Sequence, residues 1–154
     1  MKFSDFPIKQ INITDPQYPA ILKKIKNPPK ILYYRGNLNS KIFKKSLAVV
    51  GSRRITSYGS RVLDQLIPGL IGEQITIISG FMYGVDSEAH RKTLEAGGLT
   101  AAVLGGGLNV LYPPENEKLY LEILEKGGLV ISEYQPKPNP SFGPSPKETG
   151  LLLV

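Results

Sequence analysis

Leu47-Ala48-Val49-Val50 runs straight into Gly51-Ser52-Arg53, and the same construction recurs twice along the chain. Ile75-Thr76-Ile77-Ile78 leads into Ser79-Gly80, with Gly84-Val85-Asp86 just beyond, and Thr100-Ala101-Ala102-Val103-Leu104 leads into Gly105-Gly106-Gly107. Short, nearly continuous apolar runs are the mark of strands buried on both faces, and a parallel sheet buries both faces. Such sheets bind ligands at the carboxyl ends of their strands. Glycine there lets backbone N–H groups approach an anion, and the N-terminus of a following helix adds partial positive charge. Three such turns, the first carrying Arg53 and Arg54, imply a phosphate-bearing ligand.

The segments between these runs have helical spacing. Thr56 or Ser57 is placed to cap a helix with Val62, Leu63, Leu66, Ile67 and Leu70 along one face. Pro68 and Gly69 predict that this helix kinks or ends early. Asp86 or Ser87 is placed to cap a second helix that runs to Leu94 and stops at Gly97-Gly98. Residues 115–126 form a third, and 129–132 the last strand. Further upstream, residues 20–25 read as a short helix broken by Asn27-Pro28-Pro29, and 31–35 as a strand ended by Gly36-Asn37. The alternation predicts an α/β fold, a mostly parallel sheet with helices on both faces. It divides the chain into a lead-in (1–46), a core (47–134) and a tail (135–154) whose proline-rich stretch excludes a regular helix or central strand.

The 154 residues suffice for one domain with a real core. No apolar run approaches the ~18–20 residues that span a bilayer, and the N-terminus has no signal-peptide h-region. Zero cysteines exclude disulfides and thiolate chemistry, and a single histidine excludes a multi-histidine metal site. The cytoplasm is the expected compartment, and no cofactor is implied. The formal net charge of +6 is uneven: residues 1–54 hold twelve basic side chains against two acids, and the rest holds seven against eleven. A basic face on a near-neutral body fits a polyanion, and a solvated lysine-rich surface is the plain alternative.

Several residues could carry chemistry. Arg53 either grips a phosphate together with the turn's backbone or sits in a surface ion pair. Asp86 reads first as a helix cap, then as a base. Phe81 and Tyr83 either stack on bases or line the sheet end. His90, four residues after Asp86, reads as a structural partner of that carboxylate, with an acid/base pair as the alternative. The Gly105-Gly106-Gly107 turn lacks the Gly-Lys-Ser/Thr ending of a Walker loop, and no G-x-S-x-G elbow is present.

Read in order, the residues resemble the DNA-processing protein A family, also called Smf, over its Rossmann-like three-layer core. The likeness covers Tyr18-Pro19, Tyr34-x-Gly36-Asn37, Ala48-Val49-Val50-Gly51-Ser52-Arg53, Thr56 and Tyr58-Gly59. It continues through Ser79-Gly80-x-x-x-Gly84-Val85-Asp86-x-x-Ala89-His90, Gly97-Gly98-x-Thr100 and Val103-Leu104-Gly105-x-Gly107-Leu108. Tyr112-Pro113-x-Glu115-Asn116 and Ser132-Glu133-Tyr134 complete it. The resemblance implies a cytoplasmic, cofactor-free protein that binds single-stranded DNA during natural transformation, hands it to the recombinase RecA, and homodimerises. It implies Arg53 as a principal phosphate ligand, with Gly51, Ser52, Ser79 and Gly80 as pocket floor and Lys137 as a further candidate. Arg54, Gly84 and the Gly105–Gly107 turn complete the expected nucleic-acid site, and Asp86 and His90 the structural caps.

Three departures from the family pattern accompany the likeness. The family follows Ser-Glu-Tyr-Pro with Phe-x-x-Arg-Asn-Arg, whereas Phe142 here precedes Gly143-Pro144-Ser145-Pro146-Lys147. The sequence ends at Val154, ahead of the family's later sheet elements, dimer surface and winged-helix domain. Met82 replaces a small residue. Two alternatives stand beside the DNA-binding reading: a nucleotide hydrolase of the LOG type, whose Pro-Gly-Gly-x-Gly-Thr-x-x-Glu string is missing here, and a family remnant that no longer binds DNA.

Overall fold

The computed structural model describes residues 2–136. The three turns fall at the ends of three neighbouring parallel strands, β3 (Ser46–Ala48), β4 (Thr76–Ser79) and β5 (Thr100–Val103), and β6 (Leu129–Ser132) continues the series. The lead-in adds β1 (Lys9–Asn12) and β2 (Ile31–Gly36), paired antiparallel, and β2 runs antiparallel to β6. The six strands form one sheet in the order β1-β2-β6-β5-β4-β3. Lead-in and core therefore share a sheet.

From β3 to β6 the chain steps one strand at a time in one direction. Right-handed crossovers taken that way put every connecting helix on the same face. The period-2 alternation of the strands agrees. Ile77, Ala102 and Val130 face α2 (Ser57–Gly72), α3 (Val85–Glu95) and α4 (Glu117–Glu125), packing with Leu63, Ile67, Ala89, Leu119 and Ile123. Ile78, Ala101, Val103, Leu129 and Ile131 point the other way. There they meet Tyr18, Leu22 and, from the short α1 (Ser40–Lys44), Ile42 and Phe43. Helices thus cover both faces, unequally. Among the described residues no helix is long and apolar enough to cross a membrane.

Three local expectations need correction. Helix α2 runs through Pro68 without ending early. Leu63 and Ile67 are buried before the proline, and Leu70 and Ile71 pack after it, so core contacts on both sides hold the helix across the lost hydrogen bond. The run 47–50 is not a strand buried on both faces: β3 is the sheet's edge, and Leu47 and Val50 are exposed. The helix read over residues 20–25 is a single 3₁₀ turn, Leu22–Lys24.

Candidate nucleic-acid interface

The first turn is held from below. Val49 N–H donates to Ile78 O at 2.9 Å, and the buried Ser79 hydroxyl donates to Val49 O at 2.6 Å, so β4 carries the end of β3. Beyond it, Val85 N–H donates to Ser52 O at 3.0 Å. The two turns fit through glycine. A Cβ on Gly51 would lie 2.6 Å from a Val85 methyl. Gly84, at φ +76°, presses against the backbone of Ser52 and Arg53, and a side chain there would overlap the Ser52 carbonyl. Ser52 Oγ accepts from Arg54 N–H at 3.1 Å, which closes a hydroxyl-to-backbone turn.

The result is a rigid turn that presents Ser52, Arg53 and Arg54 to solvent. Neither guanidinium makes an ion pair or a side-chain hydrogen bond among the described residues. The surface ion pair considered for Arg53 is therefore not formed there. Residues 16–63 contain eleven Lys and Arg residues and no Asp or Glu. Within that stretch, Lys45 alone reaches a carboxylate among the described residues, that of Glu73, at 3.7 Å. Arg35 is structural: its Nη1 donates to the Phe3 and Phe6 carbonyls at 2.8 and 2.6 Å.

The other expected residues divide by burial. Ser79 and Gly80 are buried beneath the first turn. Gly106 and Gly107 are buried, and the Gly106 carbonyl accepts from Ser132 Oγ at 2.7 Å. A Cβ on Gly107 would lie 3.0 Å from the Gln135 carbonyl, so this turn closes onto the chain after β6 and leaves only Gly105 partly exposed. Phe81 is buried against Tyr120, ring centroids 5.5 Å apart, and belongs to the core. Tyr83 is exposed. Lys137 lies outside the described residues.

Asp86 is not the cap of α3. Gly84 is the N-cap residue, and Asp86 sits buried in the first turn, where its carboxylate occupies the space a side chain on Gly80 would need. A carboxylate there also complements the helix dipole. His90 is not a cap either and is not bonded to Asp86 through its ring nitrogens. Its Nε2 lies 2.7 Å from the Gly80 carbonyl and its Nδ1 2.6 Å from Thr100 Oγ1. Burial pushes the imidazole down to about 4. The neutral ring then donates from Nε2 and accepts the Thr100 proton at Nδ1. Thr100 Oγ1 also lies 2.8 Å from the Ile77 carbonyl, so its single hydrogen is shared between two acceptors. The network ties α3 to the ends of β4 and β5. A group buried in this way has no access to a substrate.

Comparison with known proteins agrees with this geometry. The sequence model of the family DNA recombination-mediator protein A matches residues 9–147. The DNA processing protein DprA of Streptococcus pneumoniae is 40% identical over 139 residues, which are 90% of this chain and 48% of that protein. Protein Smf of Synechocystis is 37% identical over 141 residues, 90% of this chain and 35% of that one. The chain thus spans about half the length of such relatives or less. The X-ray structure of S. pneumoniae DprA superposes with a TM-score of 0.76 at 40% identity, covering 90% of this chain and 47% of that one. A Helicobacter pylori DprA structure, described for its single-stranded DNA binding mode, gives 0.74 at 27% identity, covering 99% and 65%. With the family match running through both the edge turn and the buried histidine network, this chain belongs to the DNA recombination-mediator protein A family.

Proposed function

We propose that this chain binds single-stranded DNA through its backbone phosphates, at the exposed turn after β3. Arg53 and Arg54 are the charged ligands, Gly51 and Ser52 shape the turn, and Ser79, Gly80 and Gly84 support it. The observation that carries the reading is the pair of exposed guanidiniums without ion-pair partners among the described residues, on a turn locked by glycine contacts, within a stretch that has no acid. The H. pylori relative's reported single-stranded DNA binding mode supports the choice of ligand. In this reading the protein is cytoplasmic, has no catalytic step, and supports DNA uptake and recombination by passing bound strands to RecA.

Binding through phosphates weakens steeply with salt. The test is fluorescence anisotropy of a labelled oligo-dT across a salt series, with Arg53→Ala alongside. Loss of one charged phosphate ligand is expected to cost about 1.5–3 kcal/mol, a loss of tenfold or more in affinity. Equal binding by parent and variant would refute the assignment of Arg53. Formation of RecA filaments on DNA coated with this protein tests the second half of the reading.

A further inference from the structure

Tyr83 and Tyr112 stand on the loops that leave β4 and β5, at the same end of the sheet as Arg53. Their ring centroids are 6.3 Å apart at 78°, edge to face, and each residue is 38% exposed. The pair is held in orientation, since the Tyr83 hydroxyl donates to Glu115 Oε2 at 2.8 Å. The next residue, Gly84, lies against the Ser52-Arg53 backbone, so Tyr83 adjoins the arginine turn directly.

Aromatic surface costs free energy when left in water, and two oriented rings on loops next to a turn whose two guanidiniums make no ion pair among the described residues match the two halves of a nucleotide. Glu115 decides which half belongs on the rings: a carboxylate at that position repels a phosphate and tolerates a neutral base. We propose that Tyr83 and Tyr112 form a stacking platform for a nucleobase whose flanking phosphate is held by Arg53. This rests on the single-stranded DNA reading and adds to it a base-dependent contribution to affinity.

The experiment compares two ligands of equal length at one ionic strength, oligo-dT and an abasic deoxyribose-phosphate oligomer, with the parent protein, Tyr83→Ala and Tyr83→Phe. Stacking predicts that the parent prefers oligo-dT. It predicts that Tyr83→Ala loses roughly five- to a hundredfold on oligo-dT and nothing on the abasic oligomer. Tyr83→Phe keeps the ring without its hydroxyl tether, and is expected to recover most of the oligo-dT affinity that Tyr83→Ala loses. Unchanged oligo-dT binding by Tyr83→Ala, or an equal loss on both ligands, overturns the platform and leaves the phosphate reading standing. A parent protein that binds neither ligand overturns both.

Discussion

Helix α3 and residues 16–63 both carry cations, in opposite surroundings. Arg91 and Lys92 of α3 are ringed by acids: Lys92 Nζ lies 2.9 Å from Asp64, 3.3 Å from Glu95 and 3.9 Å from Glu88, and Arg91 reaches Glu88 at 3.7 Å. The eleven cations of residues 16–63 have no acid within their own stretch, and Arg53 and Arg54 find none elsewhere among the described residues. Charges of the first kind hold one helix to another and offer little to a ligand. Arg35 and Lys45 apart, charges of the second kind repel one another in the folded chain, a cost that a polyanion relieves on binding. On the DNA-binding proposal, the contrast between Lys92 and Arg53 separates a structural cation from a ligand cation better than net charge does.

The largest expected effect comes from joining the two regions badly. Gly84 is both the N-cap of α3 and the surface on which the Arg53 turn rests. Gly84→Ala adds a side chain at positive φ against the Ser52 carbonyl, and is expected to destabilise by on the order of 3 kcal/mol and to abolish oligo-dT binding. Urea denaturation and anisotropy measure the two losses.

Acid should reach α3 through His90. The unfolded ring takes up a proton near pH 6.5, and the folded ring only near 4. Stability from the neutral buried ring is therefore complete above pH 6.5 and lost as pH falls toward 4, by about 3 kcal/mol. His90→Gln is expected to be less stable at pH 7 and to lack that share of the slope. Parallel stability curves for the two proteins between pH 6.5 and 4 would show that His90 does not carry it.

Arg53→Ala sharpens the comparison from the other side. It is expected to weaken DNA binding by tenfold or more while shifting stability by no more than about 0.5 kcal/mol, since the exposed side chain makes no ion pair or hydrogen bond among the described residues. The smallest expected effect is that of Lys92→Met: a slight fall in melting temperature, read by circular dichroism, and oligo-dT affinity equal to the parent's. A loss of DNA binding there would erase the distinction between the two groups of cations.

The parallel part of the sheet is legible because buried strands leave short apolar runs between glycines: the run 129–132 matches β6 in full, and the runs 75–78 and 100–104 match β4 and β5 to within a residue at each end. Strand β1 is not, because Lys9-Gln10-Ile11-Asn12 buries one residue on an edge and shows no pattern. Helix α1 has five residues, too few for a helical period. At the candidate site, the exposed turn that carries Arg53 is legible from Gly-Ser-Arg after a strand, and its role in binding remains the proposal. The difference between the open first turn and the closed third is not legible. Glycines serve equally for a cradle and for a tight closure, and here Ser132, 26 residues downstream, decides which. The capping role falls to Gly84 rather than Asp86 through a contact with a backbone 31 and 32 residues away in sequence, at Arg53 and Ser52, which no local reading contains.

The fit of Gly51 against Val85, and of Gly84 against Ser52 and Arg53, also bears on how this site can change over generations. A larger residue at position 51 becomes tolerable only in a chain whose position 85 has already shrunk, so the two are expected to drift as a pair. Arg53 has no such partner and can be lost in one step. The scaffold of the turn should therefore outlast its charge, and on the DNA-binding proposal a descendant that had given up the ligand would still carry the glycines of the turn.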